Sequence, residues 1–303
     1  MIQKNELNRV YLFLTLTFGI SWATALVIYL TGGLEDSPFL NIANIPVSLA
    51  LLLMATFYMF GPALANIITR VITKESKQNL YLKPDFSQGR WLYFLAAWLL
   101  PGLLTIIGMV VFFVLFSRNY DSNLSLLTAE MKAAGAESFS PWFVVAMQAL
   151  QATLIAPVLN ALPSFGEEFG WRGYLLPKLL PLGGRKASLI TGVIWGVWHW
   201  PLILMGYNYG SDYFGAPFLG PLAMAWFCVV AGIVFGWTSI KADSIWPAVI
   251  GHGALNGIAA LGLLFVQGEP NALLGPTPVG LIGGAGFTIL AVILFLIPNA
   301  FEP

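Results

Sequence analysis

Three short pieces of this sequence place ionisable groups inside otherwise apolar runs. They are Gly166-Glu167-Glu168-Phe169-Gly170-Trp171-Arg172, Trp195-Gly196-Val197-Trp198-His199 and His252-Gly253-Ala254-Leu255-Asn256. A charged side chain in hydrocarbon costs roughly 2.5–3.5 kcal/mol on insertion scales, so each requires a partner or a task. Glu168 and Arg172 are four apart with the acid N-terminal, the favourable order for an intrahelical ion pair. Glu167 lies about 100° around the helix from Glu168 and stays free to act as a general base for water. His199 can share or relay the proton, and Trp195, one turn before it, can pack its ring. His252 and Asn256, also four apart, share a helix face and can donate hydrogen bonds to an oxyanion. These residue types describe a water-activating, acyl-hydrolysing site. A covalent route has no support: Cys228 has no motif around it, and no serine stands in a nucleophile-elbow sequence.

The elements that position these groups follow from composition. The chain has 303 residues, 58% hydrophobic and only 9% charged, against about a quarter charged in soluble domains. A soluble fold of this length could not bury so much apolar surface, so the bilayer must be the solvent. Zero net charge gives no field that would attract nucleic acid. A lone cysteine excludes an internal disulfide. Eight runs reach spanning length, at about 20 residues each: 10–31, 45–69, 91–116, 142–180, 187–206, 216–239, 244–266 and 278–299. Hydrocarbon forces each to be helical. The expected class is therefore all-α, a polytopic integral membrane protein forming a single membrane domain over 1–303, with a motif-bearing core at 142–260. The first run has no cleavage site after it and is kept as a helix rather than a signal peptide.

Lysine and arginine set the orientation. Lys4 and Arg9 precede the first run. Arg70, Lys74, Lys77, Lys83 and Arg90 lie between the second and third, Lys178, Arg185 and Lys186 between the fourth and fifth, and Lys241 between the sixth and seventh. The segments 32–44, 207–215 and 267–277 hold neither residue, and 117–141 holds only Arg118 and Lys132. The positive-inside rule then gives eight crossings with both termini in the cytoplasm. The segment 117–141 is expected to contain a short helix around 126–134, and the basic segment 70–90 to act as a topology determinant, with contact to anionic headgroups as the alternative. By helical rise, His252, Glu167 and His199 lie about 12, 16 and 20 Å from the cytoplasmic surface. Three helices thus bring polar groups to one layer, and cleavage near the cytoplasmic leaflet is the expectation.

The three pieces together resemble the motifs of the CAAX-protease and bacteriocin-processing family: Glu167-Glu168-x-x-x-Arg172, aromatic-x-x-x-His199 with Trp195 as the aromatic residue, and His252-x-x-x-Asn256. The resemblance covers roughly 142–260 in the right order. The second motif usually begins with Phe, whereas Trp195 stands here. The resemblance implies an intramembrane endopeptidase with Glu167 as catalytic base, His199 helping to activate water, and His252 and Asn256 stabilising the oxyanion. Glu168, Arg172 and Trp195 support them. It also implies a peptide or prenylated protein substrate in a lipid setting, and a bacterial inner membrane suits a chain of this size. Both a metal-free glutamate mechanism and zinc held by Glu167, His199 and His252 remain open.

Plainer readings stand beside these. Glu168–Arg172 reads as a structural ion pair, and His199 or Asn256 alone could be interhelical glue. A membrane peptide-binding or bacteriocin-immunity protein without catalysis would use the same pocket. A proton-coupled transporter would place its carboxylates nearer the midplane, with an outward route.

Overall fold

Hydrocarbon offers the backbone no water, so apolar runs pair their own N–H and C=O groups as helix wherever proline permits. The computed structural model describes residues 2–302 and shows where each run does so. In chain order the main helices are α1 (Lys4–Leu30), α2 (Leu49–Ile72), α3 (Trp91–Leu115), α4 (Ser125–Ala133), α5 (Pro141–Leu154), α6 (Ala161–Gly170), α7 (Gly184–Trp198), α8 (Leu219–Ala242), α9 (Trp246–Ile258) and α10 (Ala285–Leu296). Among the described residues, α1, α2, α3, α8 and α9, the last extended by a 3-10 turn to Phe265, are long and apolar enough to cross a bilayer. α10 is apolar but has 12 residues.

The expected helices over 142–180 and 187–206 are broken. The first divides into α5, Ala156–Leu159, α6, a π-turn at Trp171–Leu175 and Leu176–Leu179. Pro157 supplies no N–H to the Thr153 carbonyl, which instead accepts from Trp98 Nε1 of α3 at 2.7 Å. The second ends at Trp198, and a short helix, Trp200–Leu204, follows with Pro201 in its first turn. There the Leu202 N–H turns to the His199 carbonyl. The Trp198 carbonyl accepts from Tyr58 Oη and from Trp22 Nε1 at 3.1 Å.

The chain is mostly helical, as expected, with one local exception. Phe39–Ile42 (β1) and Ile45–Ser48 (β2) form an antiparallel hairpin in which Ile42 pairs with Ile45. Its two turn residues, Ala43 and Asn44, both have positive φ, the geometry that matches hairpin twist. The second helix therefore begins at Leu49, capped by Ser48, instead of at 45. The short helix expected near 126–134 is α4, and the Asp121 carboxylate accepts from the Ser125 N–H before its first turn.

Two ends can be traced through side-chain and backbone contacts. At one, Lys178 reaches both Glu6 and Glu75, Trp246 Nε1 donates to the Leu82 carbonyl, and Lys241 Nζ donates to the Asn299 carbonyl. At the other, the segment after α3 pairs with the segment after α9 through Tyr120 and Val266. Segments rich in Lys and Arg meet one another, and segments poor in them do likewise.

Candidate active site

Glycines let the motif helices approach closely enough to share a centre. A Cβ on Gly170 would lie 2.3 Å from Pro62 of α2, and one on Gly196 would lie 2.4 Å from the Ala225 Cα of α8. The two glycines thus bring α6 and α7 into backbone contact with their neighbours. Asn66, fully buried on α2, donates to the Phe169 carbonyl at 2.7 Å, beside the π-turn.

Glu168 is the hub. Arg172 Nη1 donates to both of its oxygens at 2.8 Å, and both side chains are fully buried. His252 Nδ1 lies 2.9 Å from Glu168 Oε1. The i,i+4 pair read from the sequence is therefore present, and it extends 84 positions along the chain to the third motif. The Arg172 guanidinium lies over the rings of Trp195 and Phe235, with its central carbon 4.8 and 5.5 Å from their centroids. Phe235 in turn stacks on His252 at 5.9 Å.

Glu167 faces away from this pair. Its Oε2 accepts from Trp195 Nε1 at 2.7 Å, leaving Oε1 as the uncommitted oxygen. His199 Nδ1 lies 2.9 Å from the Trp195 carbonyl. Only a ring carrying its proton on Nδ1 makes that bond, so neutral His199 presents Nε2 as an acceptor. By the same reasoning His252, with Nδ1–H directed to Glu168, donates from Nε2 only when it holds a second proton. Trp195 does more than pack, because its N–H orients Glu167 and its carbonyl orients His199.

Glu167, His199, His252 and Asn256 line one cavity of about 340 Å³. Asn256 is exposed on its wall. Glu168 and Arg172 are absent from that lining and lie behind it. Sequence reasoning missed Tyr58 and Asn160, which also line the cavity. Asn160 Nδ2 donates to the Gly253 carbonyl at 3.1 Å, tying the start of α6 to the third motif. The signal for Asn160 was an amide inside an expected spanning run, 142–180. Tyr58 had none, since its partner is 140 positions away. Cys228 Sγ lies 3.6 Å from His199 Nδ1, but the cysteine is fully buried outside the cavity lining.

The zinc reading fits less well. Glu167 Oε1, His199 Nε2 and His252 Nε2 are the atoms left to bind a metal. Among the described residues, however, no three His, Cys, Asp or Glu side chains are grouped to hold one ion.

Comparison with known proteins bears on the same segment. Residues 142–258 match the family described as type II CAAX prenyl endopeptidase Rce1-like. The chain is also 28% identical over 194 residues to a protein of Methanococcus maripaludis named CAAX prenyl protease 2. That alignment covers 63% of this chain and 66% of the relative, so the chain spans just under two thirds of the relative's length. The matched family segment contains all three motif pieces.

Proposed function

From the match of residues 142–258 to the family described as type II CAAX prenyl endopeptidase Rce1-like, we propose that this integral membrane protein is an intramembrane endopeptidase. The observation that carries the reading is the shared cavity. Groups from three separate motifs line it, and Glu167 and His199 both retain an uncommitted acceptor atom there.

In this reading a water held between Glu167 Oε1 and His199 Nε2 loses a proton to one of them and attacks the substrate carbonyl. The Asn256 amide donates to the oxyanion, joined by His252 Nε2 when that ring is protonated. Low surrounding polarity makes such donors effective. Glu168 holds His252 through Nδ1, and Arg172 balances the Glu168 charge. The collapsing intermediate takes a proton back onto the leaving amine. The substrate is a membrane-associated peptide or prenylated protein, in line with the relative's name. Eight crossings with both termini in the cytoplasm, in a bacterial inner membrane, complete the proposal. The separation of Lys/Arg-rich from Lys/Arg-poor segments supports this orientation.

Glu167→Gln is the decisive substitution. The glutamine keeps an oxygen for Trp195 to donate to but cannot take a proton from water. Peptide cleavage by the purified protein should fall by roughly 10²–10⁴-fold, the range of a general base, with expression and thermal stability retained. Unchanged cleavage would sink the assignment. Unchanged cellular function alongside absent cleavage would favour a binding or immunity protein. The same preparation should keep its activity in a strong chelator. Loss of activity together with about one equivalent of zinc would replace the side-chain mechanism by a metal-based one.

A further inference from the structure

We propose that the Tyr207 hydroxyl is a second catalytic donor of this site, giving a hydrogen bond to the oxyanion together with the Asn256 amide. This deepens the endopeptidase reading and rests on it.

The donors on the cavity wall carry it. A neutral His252 gives the oxyanion nothing, because its one proton is directed from Nδ1 to Glu168 and Nε2 is left as an acceptor. The Tyr58 hydroxyl is spent on the Trp198 carbonyl, and the Trp195 N–H on Glu167. Asn160 donates to the Gly253 carbonyl, and Asn208 faces the Met224 sulfur. The Trp198 indole N–H is sealed from solvent. Among the described residues of that wall, Asn256 and Tyr207 remain as donor side chains that no hydrogen bond engages.

Local backbone chemistry puts Tyr207 there. The short helix Trp200–Leu204 starts directly after His199 and closes in a Schellman turn. Gly206 takes a positive φ of 93°, its N–H donates to the Ile203 carbonyl at 3.0 Å, and the Tyr207 N–H reaches back to the Leu202 carbonyl at 3.1 Å. Leu202 and Ile203 are buried, which anchors the helix that carries the turn. Two residues on, the Tyr209 hydroxyl donates to the Val279 carbonyl at 2.8 Å and ties the same turn to a distant segment. His199 and Tyr207 thus bracket one anchored helix and line one cavity. No motif marks Tyr207 in the sequence, because its place depends on that turn.

The chemistry asks for a donor that keeps its proton. Desolvation raises the Tyr207 hydroxyl above its usual value of 10.0, and the charge of Glu167 adds to the rise. At neutral pH the phenol therefore stays protonated and donates. As the water oxygen bonds to the substrate carbon, the carbonyl electron pair moves onto oxygen, where Tyr207 and Asn256 meet it. The water's proton goes to Glu167 or His199 and returns to the leaving nitrogen as the C–N bond breaks. The Tyr207 proton is not transferred. With two such donors the oxyanion is held whether or not His252 carries its second proton.

Tyr207→Phe removes the hydroxyl and keeps the ring. The purified variant should lose roughly 10²–10³-fold in kcat, the cost of one oxyanion donor, with KM near its original value. A raised KM at unchanged kcat would overturn the inference, since the hydroxyl would then bind substrate and transition state alike. A matched peptide with a thioamide at the scissile bond gives the second readout. Sulfur is a weak acceptor, so Tyr207→Phe should slow thioamide cleavage far less than amide cleavage. Both rates come from one preparation, so any misfolded fraction cancels. An equal loss on the two substrates would assign Tyr207 to the fold and overturn the inference. Glu167→Gln, assayed alongside, separates the two claims. Cleavage retained by that variant counts against the endopeptidase reading, whereas its loss with Tyr207→Phe at the wild-type kcat counts against the donor role only.

Discussion

Trp195 occupies a position where the resembling motif usually has Phe, and its indole N–H does what a benzene ring cannot. It donates to Glu167 Oε2 at 2.7 Å inside the bundle. A hydrogen bond to a charged group contributes about 1.5–3 kcal/mol, so Trp195 positions the proposed base rather than merely walling it. Trp195→Phe keeps the ring and removes the donor. We predict a fall in kcat of roughly 10–100-fold, in keeping with that energy. KM should stay near its original value, because the substrate is not what the indole touches. Unchanged kcat in steady-state assays would show that packing alone orients Glu167. The i,i+4 spacing of Glu168 and Arg172 was legible in the sequence because a helix makes such neighbours locally. The bond from His252 to Glu168 was not, because its register depends on how α6 and α9 are docked.

At the scale of elements, proline and glycine decide where the motif helices break and how closely they pack. Pro157 releases the Thr153 carbonyl to Trp98, and the break after Trp198, where the Leu202 N–H turns to His199, leaves the Trp198 carbonyl to Tyr58 and Trp22. The breaks thereby become tertiary contacts, and one of them falls at His199. Hydropathy gave continuous runs over 142–180 and 187–206, since apolar length does not show where the backbone bends. It also missed the hairpin, because a short apolar strand and a helix start look alike to it. Gly170 gives a direct test of packing. Alanine there puts a methyl group 2.3 Å from Pro62. Overpacking of this kind costs about 1–3 kcal/mol, and the melting temperature in detergent should fall. Gly19→Ala, where no atom lies within 4 Å of the new Cβ, should leave stability level or raise it slightly. Equal behaviour of the two variants would remove the argument for close helix approach.

For the whole molecule, the basic end is held by charges that join distant segments. Lys178 bridges Glu6 and Glu75, and Tyr174 Oη donates to Glu75 Oε1 at 2.7 Å. Burial raises the Glu75 carboxyl, but hydrogen bonds from Lys178 and Tyr174 outweigh it, and the net shift is downward from 4.5. A carboxyl depressed on folding stabilises the protein above its unfolded value and loses that contribution as pH falls through the folded one. Thermal stability in detergent should therefore decline below about pH 4.5, and Glu75→Gln should flatten that decline while lowering stability at pH 7. An acid limb identical in the variant would place its origin elsewhere.

Composition and local spacing were enough to establish that the chain is a helical membrane protein, that the ionisable groups inside its apolar runs fall in three motifs, and that Glu168 pairs with Arg172. Each of these depends on composition or on spacing within one helix, and hydrocarbon permits few alternatives. Helix docking had to be seen to learn that Glu168 also holds His252, that Trp195 orients Glu167, and that Asn160 and Tyr58 line the cavity. Those features depend on the relative rotation, depth and breaks of helices brought together by side chains far apart in sequence. Hydrophobic periodicity specifies which face of a helix is buried, and leaves its partner and register to packing.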